Sequence, residues 1–283
     1  MCEAQQVTGD EFIESYREEF EKQGFVLIKD FFTENESHDV IRFSNEIEQW
    51  DEQAYKWMIY YESNAETNTE TNTETKTNTK VKARLENFLK YHPELNEFYK
   101  KKVVPTVEYI YGNKVNLLKE KMNWKNGRGK GFKPHQDHPA WTDFPSNRFV
   151  SAALFANKTT VDNGCLEFGK NNEKSRIHYT LDNNKDTTGE ICPDIVNNLI
   201  WSSVTTTPRD LLIFDSYAPH RSGTNNTDDA RRIFYFTFNN QDDGDFYDEY
   251  LLKKRREFPP EIERNGQEVN TEGNKYNLAN PIN

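Results

Sequence analysis

Cysteine is scarce in this sequence, which has only Cys2, Cys165 and Cys192 and no CxxC spacing. So few cysteines cannot form a disulfide framework, and their number is typical of a reducing compartment. The sequence also lacks a run of about 18 apolar residues that could span a membrane. Its first residues lack the basic and apolar segments of a secretory signal. We therefore expect a cytoplasmic protein that has no membrane partner.

Positive charge is in deficit as well, because 36 Lys and Arg residues face 47 Asp and Glu residues. The resulting net charge of −11 argues against nucleic acid as a partner, since binding to phosphates needs a basic surface. Hydrophobic residues make up 34% of the chain and aromatic residues 13%, which is enough for a packed core. We predict that residues 1–283 form a single domain.

The hydrophobic pattern changes type along the chain. Helical spacing with capping signals comes first, interrupted by one short strand at 24–32. The predicted helical segments are 9–23, 36–61 and 83–112. β-type runs separated by turn residues come after them, at 115–125, 148–157, 165–169, 210–215 and 231–239. This order predicts a mainly β protein with flanking helices.

A Thr/Asn/Glu repeat occupies residues 63–80 and contains no large apolar side chain. Such a tract cannot bury enough surface to offset the entropy lost on ordering. We predict a disordered, low-complexity insertion here.

His135 and Asp137 form a His-x-Asp pair in the segment KPHQDHPAW. On an extended backbone, residues i and i+2 point to the same face, so both side chains can bind one metal ion. His220, at the end of another predicted strand, is the second histidine candidate. Two histidines and one carboxylate are the ligand set of non-haem Fe(II) oxygenases, although a His-x-Asp pair alone also occurs by chance in polar loops.

The residues after His220 make the pattern more specific. Arg231 lies on the next predicted strand, and its guanidinium can hold a dicarboxylate by two parallel hydrogen bonds. Ser222 lies on the same face as His220 and can share that carboxylate. The neighbouring Arg232 points to the opposite face by strand alternation. The spacing of Arg231 from His220 favours Arg231 as the anchor.

Six segments, in order along almost the whole chain, resemble the phytanoyl-CoA dioxygenase-like family of Fe(II)/2-oxoglutarate oxygenases. They are GFVLIKDFF (24–32), EKMNWK (120–125), KPHQDHPAW (133–141), DNGCLEFG (162–169), PHRSGTNNTDDARR (219–232) and FPPEIER (258–264). The resemblance implies a double-stranded β-helix (jelly roll, cupin-like), with His135, Asp137 and His220 as iron ligands. It also implies Fe(II), 2-oxoglutarate and O2 as cofactor and co-substrates, with Arg231 anchoring 2-oxoglutarate.

The resemblance implies further contacts with co-substrate and substrate. Lys125, Ser151 and Ser222 match positions that contact the co-substrate in relatives. The predicted substrate contacts are Arg84 and Glu86, on a segment that is helical in relatives, together with His138 and Trp141 near the metal pair. Residues 170–200 depart from the family pattern, so we expect them to form part of the mouth through which substrate enters.

Basic residues dominate the stretch from Lys114 to Lys133, where Glu120 is the single acid. Two interpretations are open. The stretch can steer 2-oxoglutarate and an anionic substrate into the site, or it can be a solvated face.

The sequence therefore predicts an enzyme that oxidises an unactivated C–H bond of a small polar or zwitterionic metabolite, releasing succinate and CO2. Oxidative cyclisation or desaturation in specialised (kainoid-type) secondary metabolism is the alternative. A non-catalytic jelly-roll binding module and a cupin-like metalloenzyme without 2-oxoglutarate are the further alternatives, although neither needs Arg231. Substrate identity and oligomeric state stay open.

Overall fold

A computed structural model describes residues 9–68, 73–170, 190–264 and 266 of the chain. The α-helices are α1 (Gly9–Gln23), α2 (Glu34–Glu48), α3 (Pro93–Phe98), α4 (Val104–Tyr111), α5 (Pro193–Asn198) and α6 (Tyr247–Glu257). The strands are β1 (Phe25–Ile28), β2 (Met58–Asn68), β3 (Thr73–Glu86), β4 (Val115–Lys125), β5 (Phe132–His135), β6 (Phe149–Phe155), β7 (Leu166–Lys170), β8 (Ile200–Val204), β9 (Leu211–Asp215), β10 (His220–Ser222) and β11 (Arg231–Asn240). Within these ranges, no helix combines the length and apolar character needed to cross a membrane.

The strands form two antiparallel sheets. The larger has the order β1-β9-β6-β11-β4-β3-β2, and the smaller has the order β5-β10-β7-β8. Buried residues of both sheets pack together, among them Phe168 of β7 against Phe25 of β1 and Phe214 of β9. Two antiparallel sheets packed face to face form a β-sandwich, the architecture to which jelly rolls belong. The predicted fold class, mainly β with flanking helices, is confirmed.

Alternation along β11 places the two faces of the larger sheet in different environments. Phe234, Phe236 and Phe238 are fully buried against the helices outside the sheet. Arg231 and Tyr235 alternate with them and therefore point into the space between the sheets. One face of β11 thus anchors the helical layer, and the other supplies the polar groups of the interior.

The helical layer begins where the sequence predicts. Thr33 caps α2, its hydroxyl accepts the N–H of Glu36, and the Glu36 carboxylate accepts the Thr33 N–H in return. Side chains of α2, α3 and α4 then pack on the phenylalanines of β11.

Three predictions about the first half of the chain are wrong. The helix predicted at 36–61 ends at Glu48, and residues 58–61 are strand because β2 pairs with β3 there. Residues 63–68 and 73–80 are strand backbone in the β2–β3 hairpin rather than a disordered insertion, because main-chain pairing extends the larger sheet along them. Residues 83–86 are likewise strand rather than helix, since β3 pairs with β4 there. Residues 69–72 lie outside the described part of the chain. That 1–283 form one domain stays a prediction.

Replacement of Phe236 by alanine tests the contact between sheet and helices. Phe236 stacks on Tyr99 with ring centroids 5.0 Å apart, and none of its surface is exposed. Phe236→Ala should lower the free energy of unfolding by about 3–5 kcal/mol through lost burial and a residual cavity. Chemical denaturation measures this, with Leu252→Ala, at a 71% exposed residue, as the control. Equal losses in the two variants would contradict this packing.

Candidate metal and co-substrate site

Three side chains with metal-binding atoms converge between the sheets. His135 ends β5 and His220 begins β10, and the two are directly paired in the antiparallel register. Asp137 follows β5, and one of its carboxylate oxygens lies 3.8 Å from Nε2 of His135 and 3.9 Å from Nε2 of His220. The ligand atoms lie within 4.8 Å of one another. The structure thus brings together the three residues that the sequence predicted as metal ligands.

Backbone hydrogen bonds fix which imidazole nitrogen faces the centre. Nδ1 of His135 donates to the carbonyl of Lys133 at 2.7 Å, and Nδ1 of His220 donates to the carbonyl of Ala218 at 3.0 Å. A carbonyl can only accept, so Nδ1 carries a proton, and in the neutral ring Nε2 then keeps its lone pair. Both rings therefore present a ligand atom toward Asp137.

The pKa shifts of His135 and Asp137 also favour the forms of these side chains that bind a metal ion. Burial, with a smaller effect of His220, lowers the pKa of His135 to about 3, so this imidazole is neutral near pH 7. Burial alone would raise the pKa of Asp137, but the nearby His220, Lys121 and His135 outweigh it and lower that pKa. Two imidazoles and one carboxylate suit a divalent first-row metal ion. The donors present therefore fit Fe(II).

A second polar group lies in the same pocket as the triad. Arg231 is 4% exposed, and its guanidinium donates to the carbonyl of Gly164 at 2.7 Å. Within the described residues, Nε of Arg231 is buried without a hydrogen-bond partner. Gly164 has φ +69°, and a Cβ there would lie 2.3 Å from the carbonyl oxygen of Gly223, so a larger residue would not fit.

Lys125 and Ser222 complete this group. The Lys125 ammonium donates to Oγ of Ser222 at 2.7 Å and also to the carbonyl of Gly223. Burial, followed by the nearby Arg231, lowers the pKa of Lys125 to about 6. Burial likewise lowers the pKa of Arg231. An anion bound between the two cations would relieve both effects, because opposite charge favours the protonated forms.

Arg231 and Arg232 point to opposite faces of the larger sheet. Arg231 lines the pocket, whereas Arg232 bonds Glu48 of α2 at 2.7 Å on the outer face. Arg231 is thus the member of the pair that can reach a ligand in the interior.

The pocket also contains residues that sequence reasoning missed. Ser151, predicted as a co-substrate contact, lines it and shares a hydrogen bond of 2.9 Å with Thr237. The missed residues are Lys121, Asn123, Phe132, Leu166, Phe214, Arg221, Tyr235 and Thr237. Alternation along β4 from Lys125, and along β11 from Arg231, would have identified several of them.

The predicted substrate residues take different positions. Arg84 and Glu86 are buried on β3, rather than on a helix. His138 and Trp141 lie on a 3-10 helix that directly follows Asp137. His138 stacks on Tyr217, and Trp141 packs edge-on against Phe149. The pocket lining within the described chain includes none of these four residues. Of the predicted substrate mouth at 170–200, residues 171–189 lie outside the described residues.

Comparison with known proteins gives a family match over most of the chain. The family model described as "Phytanoyl-CoA dioxygenase (PhyH)" matches residues 20–233. A 2-aminoethylphosphonate dioxygenase from uncultured bacterium HF130_AEPn_1 is 32% identical over 96% of this chain and 98% of its own length. A methylphosphonate hydroxylase from Gimesia maris is 30% identical over 87% of each chain.

Solved structures agree on the fold. The 2-oxoglutarate-dependent epimerase SnoN of nogalamycin biosynthesis superposes with a TM-score of 0.62 at 14% identity, covering 82% of this chain and 84% of its own. EctD from S. alaskensis, solved with 2-oxoglutarate and 5-hydroxyectoine, gives a TM-score of 0.60 at 15% identity, covering 80% and 76%. At such identities the likeness concerns the fold alone.

Removal of the Asp137 carboxylate tests the metal site. Asp137→Ala should abolish stoichiometric Fe(II) binding, because it removes the one anionic donor of the triad. Anaerobic loading followed by metal analysis measures bound iron, and thermal unfolding checks the fold. Asp143→Ala, at a surface carboxylate that pairs with Lys253, is the matched control. Full iron occupancy in Asp137→Ala would refute the assignment.

Proposed function

This chain belongs to the phytanoyl-CoA dioxygenase family, and from that premise we propose that it is an Fe(II)/2-oxoglutarate-dependent dioxygenase. Its reaction is hydroxylation of an unactivated C–H bond in a small polar or zwitterionic metabolite, with release of succinate and CO2. One observation carries the proposal: a His–Asp–His triad shares its pocket with the buried cation Arg231.

His135, Asp137 and His220 would hold the iron. Three protein ligands on an octahedral ion leave three positions for the co-substrate and dioxygen. Iron bound there would supply the oxidation chemistry, with 2-oxoglutarate as the source of electrons. The triad's contribution is geometric: backbone bonds hold both imidazoles in the ligand tautomer before the metal arrives.

Arg231, Lys125 and Ser222 would hold the far carboxylate of 2-oxoglutarate. All three are at most 4% exposed, so an ion pair there is little weakened by water. The unused Nε–H of Arg231 and the hydroxyl of Ser222 offer donors to a carboxylate. This buried anchor weighs against a cupin-like metalloenzyme that works without 2-oxoglutarate, and against a non-catalytic binding module.

The relatives favour a small substrate that carries charge. Those two curated proteins act, by their names, on 2-aminoethylphosphonate and methylphosphonate. The first aligns over nearly the whole of both chains, which makes a substrate of similar size the best-supported choice here.

Paired arginine variants test the anchor. Arg231→Met should weaken 2-oxoglutarate binding by about 100-fold, because a bidentate charged contact inside a protein contributes about 3 kcal/mol. Arg232→Met, which removes the cation on the outer face, should leave that affinity within about twofold, because its side chain bonds Glu48 and does not line the pocket. Anaerobic calorimetry with Fe(II) present measures both constants. A larger loss in Arg232→Met than in Arg231→Met would refute the assignment.

Succinate release identifies the substrate class. The enzyme, Fe(II), 2-oxoglutarate and O2 should give succinate in proportion to oxidised product with a small zwitterion. The panel contains aminoalkylphosphonates, amino acids, betaines and acyl-CoAs, and mass spectrometry detects a gain of one oxygen atom. Product that has lost two hydrogens without gaining oxygen would instead support cyclisation or desaturation. Turnover without 2-oxoglutarate would contradict the proposed reaction.

A further inference from the structure

A second group of buried cations lies on the inner face of the larger sheet, separate from Arg231 and Lys125. Lys119 and Lys121 of β4 are 8% and 9% exposed, and Arg84 of β3 is 3% exposed. The co-substrate proposed above does not need them, and burial of three cations without ligands is costly.

Arg84 has hydrogen-bonding capacity that the protein does not use. Nη1 of its guanidinium lies 3.4 Å from the Glu86 carboxylate, a long contact. Nε and Nη2 are buried and, within the described residues, have no hydrogen-bond partner. A guanidinium with two adjacent N–H groups open offers the arrangement that binds two oxygens of a carboxylate or a phosphonate.

Glu86 cannot neutralise the group by itself. Its carboxylate is fully buried, accepts the Tyr250 hydroxyl at 2.9 Å and lies 3.6 Å from the ammonium of Lys254. Burial alone would raise its pKa, but Lys254, Arg84 and Lys119 outweigh burial and lower that pKa to about 2. Asp137 also acts on Lys119 and Lys121, so two carboxylates face four cations and positive charge remains in excess.

The two lysines rest on aromatic rings. The Lys119 ammonium lies 4.8 Å from the ring centre of Trp141, and the Lys121 ammonium lies 4.8 Å from that of Tyr235. Neither lysine forms a salt bridge within the described ranges. Cation–π contacts hold an ammonium in place while leaving N–H donors for a ligand.

The group adjoins the proposed metal site. Lys121 and Asn123 line the same pocket as Asp137, and Arg84 is paired with Asn123 across β3 and β4. Lys121 and Lys125 share a face of β4, about 13 Å apart along the strand at about 3.3 Å per residue. This strand segment therefore carries a buried cation toward each end: Lys121 lines the pocket, and Lys125 bonds Ser222, which lines it.

We propose that Arg84 and Lys121, with Lys119 adding positive charge, form a substrate subsite for an oxyanion head group, phosphonate or carboxylate. The inference rests on the proposed function, since it assigns the Lys125 end of the pocket to 2-oxoglutarate. It explains why β4 carries lysines on its buried face, and it makes Arg84 and Lys121 determinants of specificity.

Three probes that differ only in their head group test the subsite. They are 2-aminoethylphosphonate, 3-aminopropanoate and ethanolamine, titrated anaerobically into enzyme holding Fe(II) and saturating 2-oxoglutarate. At least one oxyanion should bind, and ethanolamine should not. Binding of the phosphonate alone identifies a phosphonate subsite, and binding of the carboxylate alone identifies a carboxylate subsite. Ethanolamine binding as tightly as either oxyanion would overturn the proposal.

Two variants locate the binding. Arg84→Met and Lys121→Met should each weaken the bound oxyanion by about tenfold or more, the loss expected for a buried charged hydrogen bond. Lys121→Arg should retain most of the affinity. Lys114→Met, at an exposed lysine just before β4 that pairs with Glu108, should change nothing.

The 2-oxoglutarate affinity of each protein separates the two claims. It should stay within about twofold in Arg84→Met if that variant is folded and its metal site intact, because Arg84 pairs with Glu86 rather than with the triad or Arg231 and separated sites act independently. Unchanged oxyanion affinity in both variants overturns the subsite and leaves the proposed function standing. Failure of the unmodified protein to bind 2-oxoglutarate refutes the proposed function, and the subsite with it.

Discussion

The site depends on the antiparallel pairing of two short strands, β5 and β10. This register sets His220 directly opposite His135, and directly paired residues have Cβ atoms about 5 Å apart. A slip of one residue would turn one imidazole away from the centre. Strand β7 pairs with the other edge of β10, and its Phe168 packs into the core between the sheets. The arrangement of the two histidine ligands is therefore a consequence of sheet register. Asp137 lies near both rings because it follows closely after β5.

Electrostatics organise the rest of the interior. Cations from β3, β4 and β11 are buried between the sheets, and their number exceeds that of the buried carboxylates beside them. Burial lowers the pKa of Lys125 and of Lys121, because it disfavours their charged forms. That cost is recovered when anionic ligands enter, so the chain gives up stability for binding sites. The net charge of the whole chain is −11, so this excess of buried cations is not apparent from composition.

Much of this was predictable from the sequence, for physical reasons. The Thr33–Glu36 capping box is local chemistry, and the phytanoyl-CoA dioxygenase family and jelly roll follow from motifs in fixed order. The strands at 63–68 and 73–80 were not predictable from composition, because main-chain pairing between β2 and β3 sets them. Arg84 was predicted as a substrate contact, although on a helix, whereas the role of Lys121 was left open between steering and solvation. Alternation gives a lysine the same spacing on a wet or a buried face, and only the tertiary structure separates the two.

The central claim is that one pocket binds Fe(II) through the triad and 2-oxoglutarate through Arg231. Visible absorption of the anaerobic protein with both ligands tests it most directly. Chelation of the iron by the 2-oxo acid gives a weak charge-transfer band, which is expected here and should require both components. Full iron loading with saturating 2-oxoglutarate and no such band would contradict the account.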